Sequence, residues 1–127
     1  MIGRRPPGPV LVVDDNDETR ALLAQILTIR GYDAVGASDG LDALSWLRGG
    51  GRPSVIVLDM RMPNMDGSAF QCALRADPRW AAIPVIVYSA FPPERSGGAL
   101  AILRKATTSP DTLLGLIATA ARHASNQ

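Results

Sequence analysis

The chain has 127 residues, enough for one domain with a substantial hydrophobic core. Its composition, 46% hydrophobic and 20% charged, is typical of a globular protein, and its formal net charge of +1 does not indicate binding to nucleic acid or to anionic membranes. No apolar run approaches the ~20 residues that span a bilayer. The single cysteine, Cys72, excludes an internal disulfide and is typical of a reducing compartment.

The first eight residues are rich in proline and glycine, and we predict that residues 1–8 form a flexible tail preceding one domain at 9–124. No apolar stretch follows the two arginines of this segment, so it does not resemble a secretory signal, and a cytoplasmic location is expected. Val10–Val13 predicts a buried strand, and Asp14 and Asp15 follow it directly.

The next segment has the apolar spacing of a helix, with Asn16 or Asp17 as its cap and Gly31 at its end. Tyr32–Ala37 predicts a second strand. Ser38 is expected to cap the second helix, which ends at three consecutive glycines.

Val55–Leu58 is the strongest strand signal, and it stops at one carboxylate, Asp59. A turn-rich loop leads to a third helix, predicted at Ser68–Ala76. The fourth strand is predicted at Ile83–Tyr88 and is followed by Ser89.

Residues 91–98 are too few and too rich in proline and glycine for a full helix. Ala99–Arg104 predicts the fifth strand, which reaches Lys105. Ser109 and Pro110 then start the last helix as its cap and first helical residue. This alternation predicts an α/β fold in which a five-stranded parallel sheet carries helices on both faces.

Polar side chains follow the strands at the points where they end, and in a parallel sheet these ends share one edge. The residues expected to meet there are Asp14, Asp15, Asp59, Ser89 and Lys105. Three carboxylates in one place repel each other unless a cation lies among them.

Oxygen ligands of this kind suit Mg²⁺. We expect Asp15 and Asp59 to be direct ligands and Asp14 to act through a water or by supporting a direct ligand. The backbone carbonyl of Arg61 is a further candidate ligand.

Asp59 is the candidate nucleophile for a phosphoryl group, as carboxylates are in aspartyl-phosphate chemistry. Lys105 can pair with the transferred group, and the Ser89 hydroxyl can donate a hydrogen bond to it.

Four segments together resemble the receiver domain of two-component response regulators. They are VVDD ending at Asp15, VLDMRMPNMDG around Asp59, IPVIVYSA ending at Ala90, and GALAILRK ending at Lys105. The resemblance covers nearly the whole chain. It implies a flavodoxin-like (CheY-like) doubly wound fold with strand order 2-1-3-4-5.

The resemblance also implies how such a chain would act. Asp59 would accept a phosphoryl group from a histidine kinase or a phosphotransfer protein in a Mg²⁺-dependent step. Ser89 would be the switch hydroxyl and Lys105 the lysine of the family. We expect a phosphoacceptor rather than an enzyme, a monomer or weak homodimer, that signals through a downstream protein and does not itself contact nucleic acid or membrane.

Three features depart from the family pattern. The segment between Ser89 and Lys105 is shorter, which predicts a shortened or missing fourth helix. Ile102 stands at the position of the aromatic switch residue. Ala106 stands where a proline in a cis peptide is usual, so the bond before it is expected to be trans.

These departures keep a second function open, that of an atypical receiver that binds partners whatever its phosphorylation state. A Mg²⁺-dependent phosphohydrolase is a third hypothesis. It is disfavoured because Arg61 stands where such enzymes carry a second acid, and because the chain has no room for a cap domain. A dinucleotide site is disfavoured because no glycine-rich turn follows the first strand.

Overall fold

The computed structural model describes residues 8–125. Within them the elements are β1 (Val10–Val13), α1 (Asp17–Ile29), β2 (Ala34–Ala37), α2 (Gly40–Arg48), β3 (Val55–Leu58), α3 (Gly67–Ala76), β4 (Val85–Ser89), β5 (Ala101–Arg104) and α4 (Pro110–Ser125). Residues 1–7 of the predicted tail lie outside the described residues. Gly8 lies against the segment before β3, where its carbonyl accepts a hydrogen bond from Ser54 Oγ at 2.9 Å.

The five strands form one parallel sheet in the order β2-β1-β3-β4-β5, which confirms the predicted fold class. Its register places the strand ends side by side. Val13 pairs with Leu58, so Asp14 and Asp59 follow adjacent residues of neighbouring strands. The backbone amide of Lys105 donates to the carbonyl of Ser89 at 3.0 Å, which fixes the other side of the same edge.

Alternate side chains of each strand are buried on opposite faces of the sheet, because helices cover both faces of a parallel sheet. On one face, Leu11, Ile56 and Val87 pack with residues of α2 and α3, among them Phe70. On the other face, a second set of strand residues packs with α1 and α4. Leu23 and Leu27 of α1 and Leu113 and Ile117 of α4 belong to that second core.

Capping agrees with the sequence in two helices and corrects it in a third. Asn16 caps α1, and the Ser109 hydroxyl accepts from the Thr112 amide at the start of α4. The prediction that Ser38 caps α2 is wrong, because Asp39 is the cap and accepts from the Asp42 amide at 2.8 Å. Both residue types cap helices well.

β2, β4 and β5 each begin two residues later than predicted, for a shared reason. The amides of Ile83 and Ala99 donate to carbonyls in the turns before β4 and β5, both at 3.0 Å, and the Tyr32 amide donates to the Leu27 carbonyl in the last turn of α1 at 2.9 Å. An amide used in a turn is not free to pair with a neighbouring strand. Hydrophobic pattern alone does not reveal that use.

No helix connects β4 to β5 in the described residues, which confirms that the fourth helix is missing. Residues 90–100 are irregular. Ile102 and Ala99 therefore remain only partly buried against the α2–α3 core, and Leu100 is exposed.

Candidate functional site

Asp59 lies directly after β3, and its side chain is buried, with 7% of the residue exposed. Its Oδ1 accepts a hydrogen bond from the Met60 amide at 2.9 Å, which fixes the orientation of the carboxylate. Helix α3 begins close behind it, because a Cβ at Gly67 would lie only 2.7 Å from the Asp59 carbonyl oxygen. Glycine is therefore required at Gly67 for this approach.

Asp14 is the second buried acid, and it is held from two sides. Its Oδ2 pairs with Lys105 Nζ at 2.7 Å, and its Oδ1 accepts from the Asn16 amide at 2.9 Å. Lys105 Nζ also lies 3.8 Å from Asp59 Oδ2. The ammonium group thus lies between the two buried carboxylates.

Asp15 completes the group from an exposed position. Carboxylate oxygens of Asp14, Asp15 and Asp59 all lie within 4.8 Å of one another. With Lys105 as counter-ion, the cluster of three acids and one ammonium has two more negative than positive groups. The structure therefore brings together every acidic residue that the sequence predicted at this edge.

Burial raises the pKa of the Asp59 carboxyl, and repulsion by Asp14 raises it further. Lys105, the Ser89 hydroxyl and the Met60 amide oppose this by stabilising the carboxylate, but the net shift is upward. A cation bound among the acids would favour the charged form of Asp59.

Ser89, the last residue of β4, is 1% exposed and faces this site. Its hydroxyl is near the Asp59 carboxylate and helps to hold the pKa of that group down. Its Oγ also accepts from the Phe91 amide at 3.2 Å. The hydroxyl therefore links the acid to the segment that follows β4.

The guanidinium of Arg61 lies 4.0 Å from the centre of the Phe91 ring. Both residues are exposed. The stack connects the loop after Asp59 with the segment after Ser89. A metal-ligating role for the Arg61 carbonyl stays a prediction.

This stack predicts that Arg61 and Phe91 are energetically coupled. The free energy of unfolding of Arg61→Met, Phe91→Ala and the double variant, measured in urea, should give a coupling of about 0.5–1 kcal/mol, as expected for an exposed cation–π pair. Leu100→Ala, at another exposed apolar side chain, should add independently to Arg61→Met. Independent effects in both pairs would contradict the coupling.

Residues 10–105 match the family model for the response regulator receiver domain. The chain belongs to this family. It is a receiver domain of two-component response regulators, with the phosphoacceptor role that the family implies.

Individual relatives agree. The chain is 30% identical over 110 residues to the polar-differentiation response regulator DivK of Brucella anthropi, covering 82% of this chain and 89% of that protein. It is 37% identical over 82 residues to the probable transcriptional regulator ycf27 of Porphyridium aerugineum, covering 65% of this chain but only 32% of that protein. A receiver protein from Pseudomonas putida has a similar crystal structure, with a TM-score of 0.82 and 32% identity, over 93% of this chain and 99% of that one.

The loop after the receiver's Asp59 is fixed to the start of α2, which the sequence did not predict. Asn64 adopts a φ of 66° and its side-chain amide donates to Asp39 Oδ2 at 2.7 Å. The Gly40 amide donates to the Met65 carbonyl at 3.1 Å. The hydrogen bond from Asn64 holds the pKa of Asp39 below its ordinary value, and the backbone amide of Asp42 adds to this effect.

Asn64→Gly should therefore raise the pKa of Asp39 toward its ordinary value. Glycine accepts the positive φ, so the change removes the amide with little backbone strain. The lowered pKa contributes stability that is present above the unfolded-state pKa and lost as pH falls through the folded-state value. The excess stability of wild type over the variant should therefore shrink under acid.

Carboxyl NMR titration of both proteins measures the Asp39 pKa. Asn16→Gly, which removes a capping amide from α1 elsewhere at this edge of the sheet, is the control and should leave Asp39 unchanged. An Asp39 pKa that does not move in Asn64→Gly would contradict the assigned hydrogen bond.

The receiver's departures from its family pattern lie beside the site. Ile102 is half-buried against the α2–α3 core. It has no aromatic ring or hydroxyl that could move in response to a movement of the Ser89 hydroxyl. No peptide bond in the described residues is cis, so the Lys105–Ala106 bond is trans, as predicted.

Proposed function

We propose that this receiver accepts a phosphoryl group on Asp59 from the phosphohistidine of a sensor histidine kinase or a phosphotransfer protein, in a Mg²⁺-dependent step. The observation that carries the proposal is the position of Lys105, whose ammonium pairs with Asp14 and lies near Asp59 within a cluster that retains an excess of negative charge. Signalling would follow through contacts with a downstream protein.

The donor set fits Mg²⁺. Magnesium binds oxygen at about 2.0–2.1 Å, so opposite ligands of one ion lie about 4 Å apart. The three carboxylates, within 4.8 Å of one another, are close to that span. Asp14 is already engaged by Lys105 and Asn16, so we assign direct contact to Asp15 and Asp59 and water-mediated contact to Asp14. When bound, the ion would neutralise charge on the transferred phosphoryl group.

The chemical step follows from these positions. A carboxylate oxygen of Asp59 attacks phosphorus and forms the P–O bond of an acyl phosphate. The P–N bond to the donor imidazole breaks, its electron pair remains on nitrogen, and that nitrogen takes a proton from solvent. The Met60 amide holds Asp59 Oδ1, so the carboxylate does not need to reorient before attack.

Lys105 and Ser89 act on the group once it is transferred. Both already contact or face the Asp59 carboxylate, so the phosphoryl oxygens would arrive within reach of an ammonium and a hydroxyl donor. Water attack on the acyl phosphate then returns the carboxylate and releases phosphate. The protein is thus a phosphoacceptor that takes part in its own dephosphorylation rather than a turnover enzyme.

Incubation with Mg²⁺ and acetyl phosphate tests this function by intact-protein mass spectrometry. We expect one phosphoryl group per chain, and none when EDTA replaces Mg²⁺. A chain that stays unmodified with Mg²⁺ and a reactive acyl phosphate would contradict the proposal.

The missing fourth helix favours a second candidate function, a receiver whose contacts do not depend on phosphorylation. Backbone NMR with Mg²⁺ and beryllofluoride, an analogue of the phosphoryl group, separates the two. Amide shifts that change only within the acidic cluster would support the second function. Changes that extend through residues 90–104 would reject it.

A cytoplasmic location, which the single unpaired cysteine favours, and a monomeric or weakly dimeric state are part of the proposal. Across residues 8–125, no helix is long and apolar enough to cross a membrane.

A further inference from the structure

Gln71 is a buried polar residue that the proposed chemistry does not use. It lies on α3 between the core residues Phe70 and Leu74 and is only 5% exposed. Its side-chain amide donates to the carbonyl of Ser96 at 3.0 Å and to that of Gly97 at 3.4 Å. A polar side chain at such a position costs stability unless it is hydrogen-bonded, so these contacts are structurally required.

A second residue of α3 donates a hydrogen bond to the same turn at Ser96 and Gly97. Arg75, one helical turn after Gln71, donates from its guanidinium to the Gly97 carbonyl at 3.2 Å. Gly97 and Gly98 have φ values of 59° and 91°, and a Cβ at Gly97 would lie 2.8 Å from Gln71 Oε1. The backbone here has a conformation that glycine allows, and α3 holds it in place.

The other end of this segment is attached to the phosphorylation site. Ser89 Oγ accepts from the Phe91 amide at 3.2 Å, and the same hydroxyl helps to stabilise the buried Asp59 carboxylate. Between the two attachments lie Pro92 and Pro93, whose fixed φ makes this part of the chain stiff. The prolines leave this part of the chain few backbone conformations in which to absorb a displacement at Phe91.

We propose that Gln71 and Arg75 are positioning residues that couple phosphorylation of Asp59 to helix α3, in place of the helix that this chain lacks. The inference rests on the proposed function. A phosphoryl group on Asp59 draws the Ser89 hydroxyl to its oxygens, the Phe91 amide loses or shifts its acceptor, and residues 91–96 press on the contact with α3.

The alternative route through β5 is absent from this chain. Ile102 has no aromatic ring or hydroxyl to respond to Ser89, and β5 is only half-buried. The segment at 91–98 has hydrogen bonds both to Ser89 of the site and to helix α3.

The single cysteine provides a direct readout, because Cys72 is exposed and follows Gln71 on α3. A trifluoromethyl label on its sulfur reports the environment of α3 by fluorine NMR. With Mg²⁺ and beryllofluoride we expect the label signal of wild type to move. In Gln71→Met, which keeps the side-chain length and removes the donor, the movement should fall to less than about a third.

Two further variants make the experiment decisive. Arg75→Met removes an exposed donor from the same contact and should also reduce the movement, so the test holds even if Gln71→Met folds poorly. Gln25→Met, at an exposed glutamine of α1, is the control and should respond like wild type.

The amide signal of Lys105, recorded on the same samples, separates failure of the coupling from failure of the function. If it responds to beryllofluoride and the label signal does not, or if the label moves equally in all variants, the coupling is wrong and the proposed function stands. If the Lys105 amide of wild type does not respond at all, the proposed function fails, and the coupling fails with it.

Discussion

Asp59→Asn is expected to reduce phosphoryl incorporation from acetyl phosphate by at least about 100-fold, because the amide oxygen is a poor nucleophile and forms no stable acyl phosphate. The substitution keeps the shape of a buried side chain whose Oδ1 accepts a hydrogen bond from the Met60 amide at 2.9 Å, so the fold should persist. Intact-protein mass after incubation with Mg²⁺ measures the modified fraction directly.

Asp66→Asn is the matched control. Asp66 is the other aspartate of the loop after β3, and it is exposed and caps α3 through the Ala69 amide. Asparagine caps helices as well as aspartate does, so this variant should be modified like wild type. If Asp59→Asn were phosphorylated as fully as wild type, or if the control lost as much phosphorylation as Asp59→Asn, Asp59 would not be established as the phosphoacceptor.

The convergence of the acids was predictable because it depends on topology. Once β1 and β3 are recognised as neighbouring parallel strands, Asp14 and Asp59 must follow them at the same edge. The fifth strand and Lys105 follow by the same reasoning. What the sequence could not supply is which carboxylate the ammonium contacts, since that depends on side-chain conformation and on burial.

The contacts that the sequence missed are those between a loop and a helix far from it in sequence. Gln71 could have been noticed, because a polar residue between Phe70 and Leu74 interrupts an apolar stripe, but its partners lie 25 and 26 residues later. The hydrogen bond from Asn64 to Asp39 is similar, because the two residues are 25 positions apart. Such pairs are set by how loops fold over the surface, which periodicity does not encode.

Lys105 determines the charge balance of the site, so its removal should have opposite effects on stability and on metal affinity. In Lys105→Met without Mg²⁺, Asp14 loses its 2.7 Å partner while its side chain remains 3% exposed. Leaving a buried carboxylate without its cation should lower the free energy of unfolding by about 1–3 kcal/mol. The pKa of Asp59 should also rise further, because Lys105 is one of the groups that lower it.

Mg²⁺ should bind Lys105→Met more tightly than wild type, by about tenfold, because an ammonium no longer repels the ion or competes for Asp14. Added Mg²⁺ should then restore most of the lost stability. Phosphoryl incorporation should nevertheless fall by about 100-fold, since the transferred group loses a cationic partner. Mg²⁺ titration, urea unfolding with and without the ion, and labelling by acetyl phosphate measure the three quantities.

Arg104→Met removes the neighbouring, exposed cation and is the control for a general loss of positive charge. It should leave stability and Mg²⁺ affinity close to those of wild type, because exposed charges interact weakly through water. If both variants gave the same small changes, Lys105 would be an ordinary surface lysine and the cluster would lack its counter-ion. If Lys105→Met lost Mg²⁺ affinity, the ammonium would assist metal binding instead of opposing it, and its contact with Asp14 would have to break when the ion binds.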